Sequence, residues 1–487
     1  MNFPMKTKRL TLLFMLALLL PTLSKSSEKP HPPKPGWLGA TFRSYYDPQR
    51  NLRGVRILHV VPFSPAGKAN LQPNDVIYQV DRSPTPHPLQ LIRFLRQTRP
   101  GQKIQILLYR PKTKQLKRTQ LTLGEKNLRK ICQQSIELAA KWLISRQLPN
   151  GGWPHFLEAQ TRAAAPTTAL CLAALSALPN AKRYHTSIEK GLQYLLRQRT
   201  KSGMLGDVSA AVKMETYTTA LAIIALCQYN REKYQRTIQE LVSKLKDAQL
   251  DNRAGFSEYD IQYGGWNYFE GKRRSVIRVD VSVASYVLEA FAAANVPRQD
   301  PLYPKVLKYL SRCQNVEEGK PLNSYLDGGF HFGPLDGKAG IYTAPDGNDY
   351  FRSYGSPTCD GLRSLLYCGL SPNDYRVQGA LTWISKHFTL KRNPGFTTPG
   401  PLNFQDGILF YYYASLSKAL AQYGRPYLQH KGKKILWANK LVLHLASRQS
   451  KEGHWKNSKS VMHEDRLELA TALALIALAK SYPFLKN

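Results

Sequence analysis

Two rhythms of apolar and polar residues divide the chain. Between Gly54 and Asp81 the runs are short and alternate, as in Val55-Arg56-Ile57-Leu58-His59-Val60 and Val76-Ile77-Tyr78-Gln79-Val80, which predicts half-buried β-strands. From Leu128 onward the period lengthens to that of helices, and the segments come in pairs. One member of each pair is amphipathic, as around Trp142-Leu143-Ile144-Ser145-Arg146. The other is apolar or small nearly all round: Thr167 to Leu178, Thr216 to Tyr229, Val281 to Val296, Thr358 to Leu366, Ile408 to Leu420 and Leu467 to Ala479. A helix without a polar face has to be buried, so this set predicts an inner ring and the amphipathic set an outer one. Pro166 and Pro357 mark first helical positions, Gly369 and Gly424 mark ends, and Pro426 follows. Six hairpins closing on themselves make an α/α toroid with a central cavity.

A recurring punctuation follows the amphipathic helices. Gln147 precedes Asn150-Gly151-Gly152-Trp153, Gln198 ends Tyr194-Leu195-Leu196-Arg197-Gln198, and Gln249 precedes Gly255-Phe256. Gln314 precedes Gly328-Gly329-Phe330, Gln449 precedes Gly453-His454-Trp455, and Trp383 to Phe388 is a degenerate copy. This pattern resembles the repeats of squalene and hopene cyclases and of protein prenyltransferases. The resemblance spans residues 128–481 and implies a mainly α fold, an (α/α)6 toroid of terpenoid cyclase type. It also implies that the Gln and aromatic residues tie one hairpin to the next, a structural role. Tyr354-Gly355-Ser356-Pro357, Asn393-Pro394-Gly395 and Tyr411-Tyr412-Tyr413 resemble a bacterial group of squalene-cyclase-like proteins that supplies a fold but no settled reaction.

Ahead of the strand region, Trp37-Leu38-Gly39-Ala40 and later Ser64-Pro65-Ala66-Gly67 and Asn74-Asp75-Val76-Ile77 follow the order of a PDZ domain. Residues 36–124 resemble that domain as found in bacterial envelope proteases. The resemblance implies that the loop of Trp37, Leu38, Gly39 and Ala40 offers backbone N–H groups to a terminal carboxylate, with Leu89 to Leu95 as the helix walling the groove. The expected partner is a peptide or protein C-terminus. Asn70 and Asn74 stand where glycines are usual, and both tolerate the left-handed backbone that glycine supplies. Nothing in the sequence resembles a protease domain, so degradation is not implied.

The amino terminus adds a location. Lys6, Lys8 and Arg9 precede an apolar run from Leu10 to Leu20 and a breaker at Pro21, the pattern of a signal peptide over residues 1–26, with a Pro-rich linker over 27–35. An exported protein of the periplasm or cell envelope is expected. The net charge of +36 is spread through both units, with short clusters at Lys112 to Arg118, Lys272 to Arg274 and Lys431 to Lys434. Such charge suits anionic envelope polymers or lipid headgroups, or simply a solvated surface. No nucleic-acid motif accompanies it, so no specific nucleic-acid partner is expected. Six cysteines lie within apolar patterns and read as small buried hydrophobes.

The chemistry of the cavity is the open question. Triterpene cyclases protonate an alkene with Asp-x-Asp-Asp, which is absent from this sequence. The zinc pattern of prenyltransferases is also broken, because Cys359 and Asp360 are adjacent and reversed, so neither metal nor cofactor is expected. The candidate acids are Asp280, Asp360, Asp406 and Glu464-Asp465. Asp280 and Glu464-Asp465 precede inner helices, where capping is the simplest role. Trp266, Tyr268, Phe269, Tyr342, Tyr350, Phe351, Tyr354 and Tyr411 to Tyr413 gather where a cavity mouth belongs, with Tyr354, Tyr411 and Tyr412 as its lining. The favoured reading is a noncatalytic envelope protein whose toroid holds an apolar, isoprenoid or anionic ligand, or a protein. The alternatives are an isoprenoid-active enzyme using Asp360 or Asp280, and a glycan-acting hydrolase or lyase pairing Asp280 with Asp360 or Asp406.

Overall fold

The computed structural model describes residues 34–48, 51–154, 162–210, 213–267, 277–397, 402–459 and 461–486. The expected signal peptide, most of the linker, Tyr268, Phe269 and the Lys272 to Arg274 cluster lie outside the described residues.

The first unit is a sheet with two short helices: β1 (Ala40–Asp47), β2 (Leu52–Val60), α1 (Pro65–Lys68), β3 (Val76–Val80), β4 (Ser83–Pro84), α2 (Pro88–Gln97), β5 (Lys103–Arg110) and β6 (Gln115–Thr122). The strands are antiparallel in the order β1-β2-β3-β5-β6, with β4 beside β3, so β1 forms one edge. Val55, Ile57, Ile77, Val80, Leu91, Ile104, Ile106 and Leu108 make its core. Asn70 and Asn74 take the expected left-handed backbone, with φ of 56° and 74°. The turn they shape is held by Arg110, whose guanidinium donates to both oxygens of buried Asp75 and to the carbonyl of Asn70.

The second unit alternates outer and inner helices: α3 (Leu128–Ser145), α4 (Ala165–Ser176), α5 (His185–Leu196), α6 (Glu215–Asn230), α7 (Gln235–Asp247), α8 (Val281–Ala293), α9 (Leu302–Ser311), α10 (Gly355–Tyr367), α11 (Tyr375–His387), the single turn α12 (Phe404–Gly407), α13 (Leu409–Tyr423), α14 (Trp437–Ala446) and α15 (Leu467–Ser481). Helices α4, α6, α8, α10, α13 and α15 each pack on the next, and α15 returns to α4. The inner ring is therefore closed. All twelve residues of α4 are buried, as the lack of a polar face requires. Helix α15 with its following turn is long and apolar enough to cross a membrane, but it is mostly buried in this ring and serves as a core helix. Pro166 is the second residue of α4 and Pro357 the third of α10, rather than the first; both still fall where a helix has no intrahelical partner for the missing N–H.

The repeated glutamines do tie the hairpins. Gln147 donates to the carbonyls of Gly151 and Ser187, Gln249 to Gly264 and Leu302, and Gln314 to Gly328 and Arg376. In each case one acceptor is the glycine loop and the other lies in the next outer helix. The loop partner of Gln249 is Gly264-Gly265-Trp266 rather than Gly255-Phe256, because a long insertion separates the two halves of that repeat. Trp266 Nε1 donates to Leu245, as Trp153 does to Leu143 and Trp455 to Leu445.

Candidate functional site

Three places in the molecule carry exposed or polar features beyond packing: the edge of the sheet, the interior of the helical ring, and the junction between the units.

At the sheet edge, Gly39 adopts φ of +83°, and an added Cβ would lie 2.0 Å from the Cβ of Ser64, so glycine is required there twice over. The loop is held from behind. Ser64 Oγ donates to the carbonyls of Val61 and Gly39, Val61 N–H donates to Gly39, and Ala66 N–H donates to Leu38. Ala40 faces Val60 in the register, and the flanking Val61 to Gly39 bond makes this a non-hydrogen-bonded pair, so the N–H and C=O of Ala40 turn to the open side. Helix α2 packs over β1 and β2, beside that edge. His87 and Gln90 cap α2 reciprocally, and Leu91 anchors it in the core. Trp37 does not line the groove; its ring packs against the helical unit, while its backbone pairs with Gly124.

In the ring, the connections from outer to inner helices are long and those from inner to outer are short, so the N-terminal ends of the inner helices share one elaborated face. Below it lies a buried charged network. Asp360 on α10 accepts from Tyr411 at 2.7 Å and from Arg363 at 3.0 Å. Arg363, fully buried, donates also to Glu289 and to Ser285 on α8, each at 2.5 Å. Lys418 on α13 donates to Glu289 at 2.8 Å. Tyr286 sits among them with the Arg363 guanidinium 5.0 Å and the Lys418 ammonium 4.5 Å from its ring centre. Half-exposed Tyr217 and Tyr411 flank Tyr286 from the two sides.

Burial sets the protonation of this network. Desolvation raises the Asp360 carboxyl above its ordinary range, only partly countered by Arg363. Burial also works to raise Glu289, but Lys418 and Arg363 together overcome it and leave the group at about 2. Burial draws Lys418 down to about 8 against the pull of Glu289. Two carboxyl groups and two cations are therefore packed against one another in the buried interior of the ring. The Cys359 thiol beside Asp360 is pushed well up by burial, the opposite of what a metal-ligating thiolate needs.

The remaining candidates are placed as follows. Asp280 caps α8, accepting from Val283 N–H at 2.8 Å and from Ser282 Oγ at 2.5 Å, with its carboxyl raised by burial. Asp406 accepts from Asn403. Tyr354 is buried at the start of α10, 5.0 Å from Phe396. The Tyr412 hydroxyl donates outward to the Thr389 carbonyl. Glu464 does not cap α15; its two oxygens accept the N–H groups of Phe410 and Tyr411, closing the N-terminus of α13 instead. Arg363, Glu289, Lys418 and Tyr286 escaped the sequence reading. For Arg363, Glu289 and Lys418 the signal is a charged residue inside a helix otherwise lacking a polar face, since such a charge has to find a buried partner.

At the junction, Val61, Trp37 and Phe63 join the hydrophobic core of the helical unit, and Lys451 donates to Asn70 at 2.9 Å. A cleft of about 680 Å³ opens beside them, bounded by Trp37, Phe63, Lys68, Glu125, Lys130 and Gln134.

Residues 36–121 match the family described as PDZ domain. The first unit is a PDZ module. It is similar to the solved HtrA-type protease AlgW with decapeptide, at 26% identity and a TM-score of 0.18 over 19% of this chain and 30% of that one. It is also similar to the serine endoprotease from Yersinia pestis, at 26% identity and a TM-score of 0.17 over the same shares. The chain thus spans about 30% of the length of these proteases. The larger part is similar to the type II terpene cyclase MstE from Scytonema in its apo form, at 16% identity and a TM-score of 0.48 over 73% of this chain and 99% of that one. No curated protein sequence matches the chain. The toroid itself rests on the closed ring of helix contacts described above.

Proposed function

We propose that the protein is an exported envelope factor that captures the carboxyl terminus of a peptide or protein on its PDZ module and presents it beside a toroid that acts as a binding scaffold. The observation that carries this reading is the open edge of β1. Loop Leu38-Gly39 and strand β1 leave main-chain groups turned outward next to α2, which is the arrangement that β-augmentation uses. Export is supported by the leader pattern of residues 1–26; the six unpaired cysteines, five buried and Cys227 half-buried, are compatible with it.

For the toroid, binding is favoured over acid catalysis. A carbocation would have to form near Arg363 and Lys418, two cations that the ring interior already holds in low dielectric, and Asp360 is committed to Arg363 and Tyr411. An apolar or anionic ligand at the elaborated face meets neither objection.

The deciding experiment is binding of fluorescent peptides with an apolar last residue to the full chain, each made with a free and with an amidated carboxyl. Micromolar binding of the free acid and loss of at least tenfold on amidation are expected. Equal binding of both forms would remove carboxylate capture from the account.

A further inference from the structure

The sheet of the PDZ module carries a pair of positive charges beside its open edge, on the face turned away from α2. In the register of β1 and β2, Arg43 stands directly opposite Arg56. Like charges in that relation repel, and a sheet normally avoids them or supplies a counter-charge. Here no counter-charge exists: neither guanidinium meets a carboxylate among the described residues. Arg56 lies with its Cζ 3.9 Å from the ring centre of Tyr45, and its Nε is buried without a hydrogen-bond partner. Arg43 is exposed on the edge strand itself. Arg43, Tyr45 and Arg56 share one face of the sheet by strand alternation, opposite the face on which Phe42 meets the core.

A peptide strand added to β1 becomes the next member of this ladder. Its side chains alternate between the α2 side and the face that carries Arg43 and Arg56, so every second residue becomes a cross-strand or diagonal neighbour of Arg43, with Arg56 one strand further in on the same face. We propose that the groove selects C-terminal peptides with Asp or Glu at those alternate positions, where the carboxylate relieves the Arg43–Arg56 repulsion and gains charge-assisted hydrogen bonds. Arg43 and Arg56 are then specificity-determining residues. This inference rests on the peptide-capture reading above and adds the chemical class of its partner, an acidic tail.

The strongly basic chain would attract any acidic peptide, and the test has to separate that from local recognition. Eight-residue fluorescent peptides ending in valine with a free carboxyl carry a single Glu at each of the four positions before the last. Their affinities for the full chain are measured by anisotropy in 0.15 M salt, an ionic strength at which distant charges are screened beyond about 8 Å. The expected result is a gain of roughly fivefold over the neutral peptide at alternate positions only. Arg43→Gln and Arg56→Gln should bring that ratio toward one. Arg118→Gln, which removes the same charge from β6 at the far side of the sheet, should leave it. An equal gain at all four positions, or a gain indifferent to Arg43→Gln and Arg56→Gln, overturns the proposal. If the neutral peptide binds and the Glu scan is flat, only the acidic preference falls. If no peptide binds at all, peptide capture falls with it.

Discussion

The side-chain amide of Gln449 donates to the carbonyl of Ser135 at 2.9 Å, and this bond joins the loop of the sixth hairpin to the first outer helix. The same nitrogen donates to Gly453, so one buried amide closes the ring and fixes the loop together. Gln449→Leu leaves two carbonyls without this donor, and a loss of about 2–4 kcal/mol follows. Gln147→Leu, whose site is half-buried, should cost about half as much because water reaches the freed carbonyls. Urea unfolding followed by helical circular dichroism measures both. Equal midpoints for wild type and Gln449→Leu would mean that apolar packing alone closes the ring.

The charged network makes a second prediction. Removing one member of a buried ion pair strands the other, so Arg363→Met and Asp360→Asn should each destabilise by about 3–5 kcal/mol. Because the residues share a network, the double variant should lose at least about 1 kcal/mol less than the sum of the singles. Additive losses would show that the two groups do not act on each other. Tyr411→Phe removes a hydroxyl bond to Asp360 at a half-exposed position and should cost about 1 kcal/mol.

Gly39→Ala tests the loop that the peptide reading depends on. The backbone at φ of +83° and the approach to Ser64 both oppose a methyl group. A destabilisation of about 2 kcal/mol or more is expected, together with loss of peptide binding. Peptide affinity unchanged in a folded Gly39→Ala protein would move the carboxylate site away from this loop.

Glu464 predicts a pH slope. Its carboxyl is raised to about 7 by burial, against hydrogen bonds from backbone and Asn457 that lower it. The folded chain then holds its proton more tightly than the unfolded chain, whose carboxyl titrates near 4.5. This contribution is fully present below that value and is lost as pH rises through 7, amounting to roughly 3 kcal/mol. Glu464→Gln keeps a neutral acceptor at the N-terminus of α13 and removes the slope. Parallel stability profiles for both proteins between pH 4.5 and 8 would contradict the shift.

Much of this architecture was legible because burial writes itself into composition. Helices α4 and α15, apolar all round, announced an inner ring, and Gln147, Gln314 and Gln449 announced the ties between hairpins. The half-repeat at Gln249 was misread because Gly255-Phe256 imitates the loop locally, while the insertion up to Gly264 moves the true partner out of sequence reach. The Asp360 site was half legible. An acid one turn inside a buried helix is conspicuous, but its partners Arg363, Glu289 and Lys418 come from three helices, and only ring closure brings them together. Glu464 shows the same limit, since it caps a helix far from its own position in sequence.

The junction between the units supplies the last prediction. His59 on β2 and His444 on α14 lie near Arg448, whose Nη1 is 3.0 Å from His444 Nδ1. With Nδ1 accepting, Nε2 carries the proton toward the Tyr413 oxygen at 2.8 Å, while the Tyr413 hydroxyl donates to Leu390. His444 is thus neutral, and burial followed by Arg448 lowers His59 to about 4 and His444 to about 3. A histidine whose pKa is lower folded than unfolded takes up a proton on unfolding, so its contribution is complete above pH 6.5 and is lost as pH falls through the folded value. Protonation would place three cations against one another where PDZ module and toroid meet. Acidification from pH 7.5 to 4 should therefore lower the melting temperature of the wild type more than that of His59→Gln, which cannot charge. Scanning fluorimetry at several pH values reads the difference. Identical acid slopes for the two proteins would show that His59 contributes nothing to the acid sensitivity of the junction.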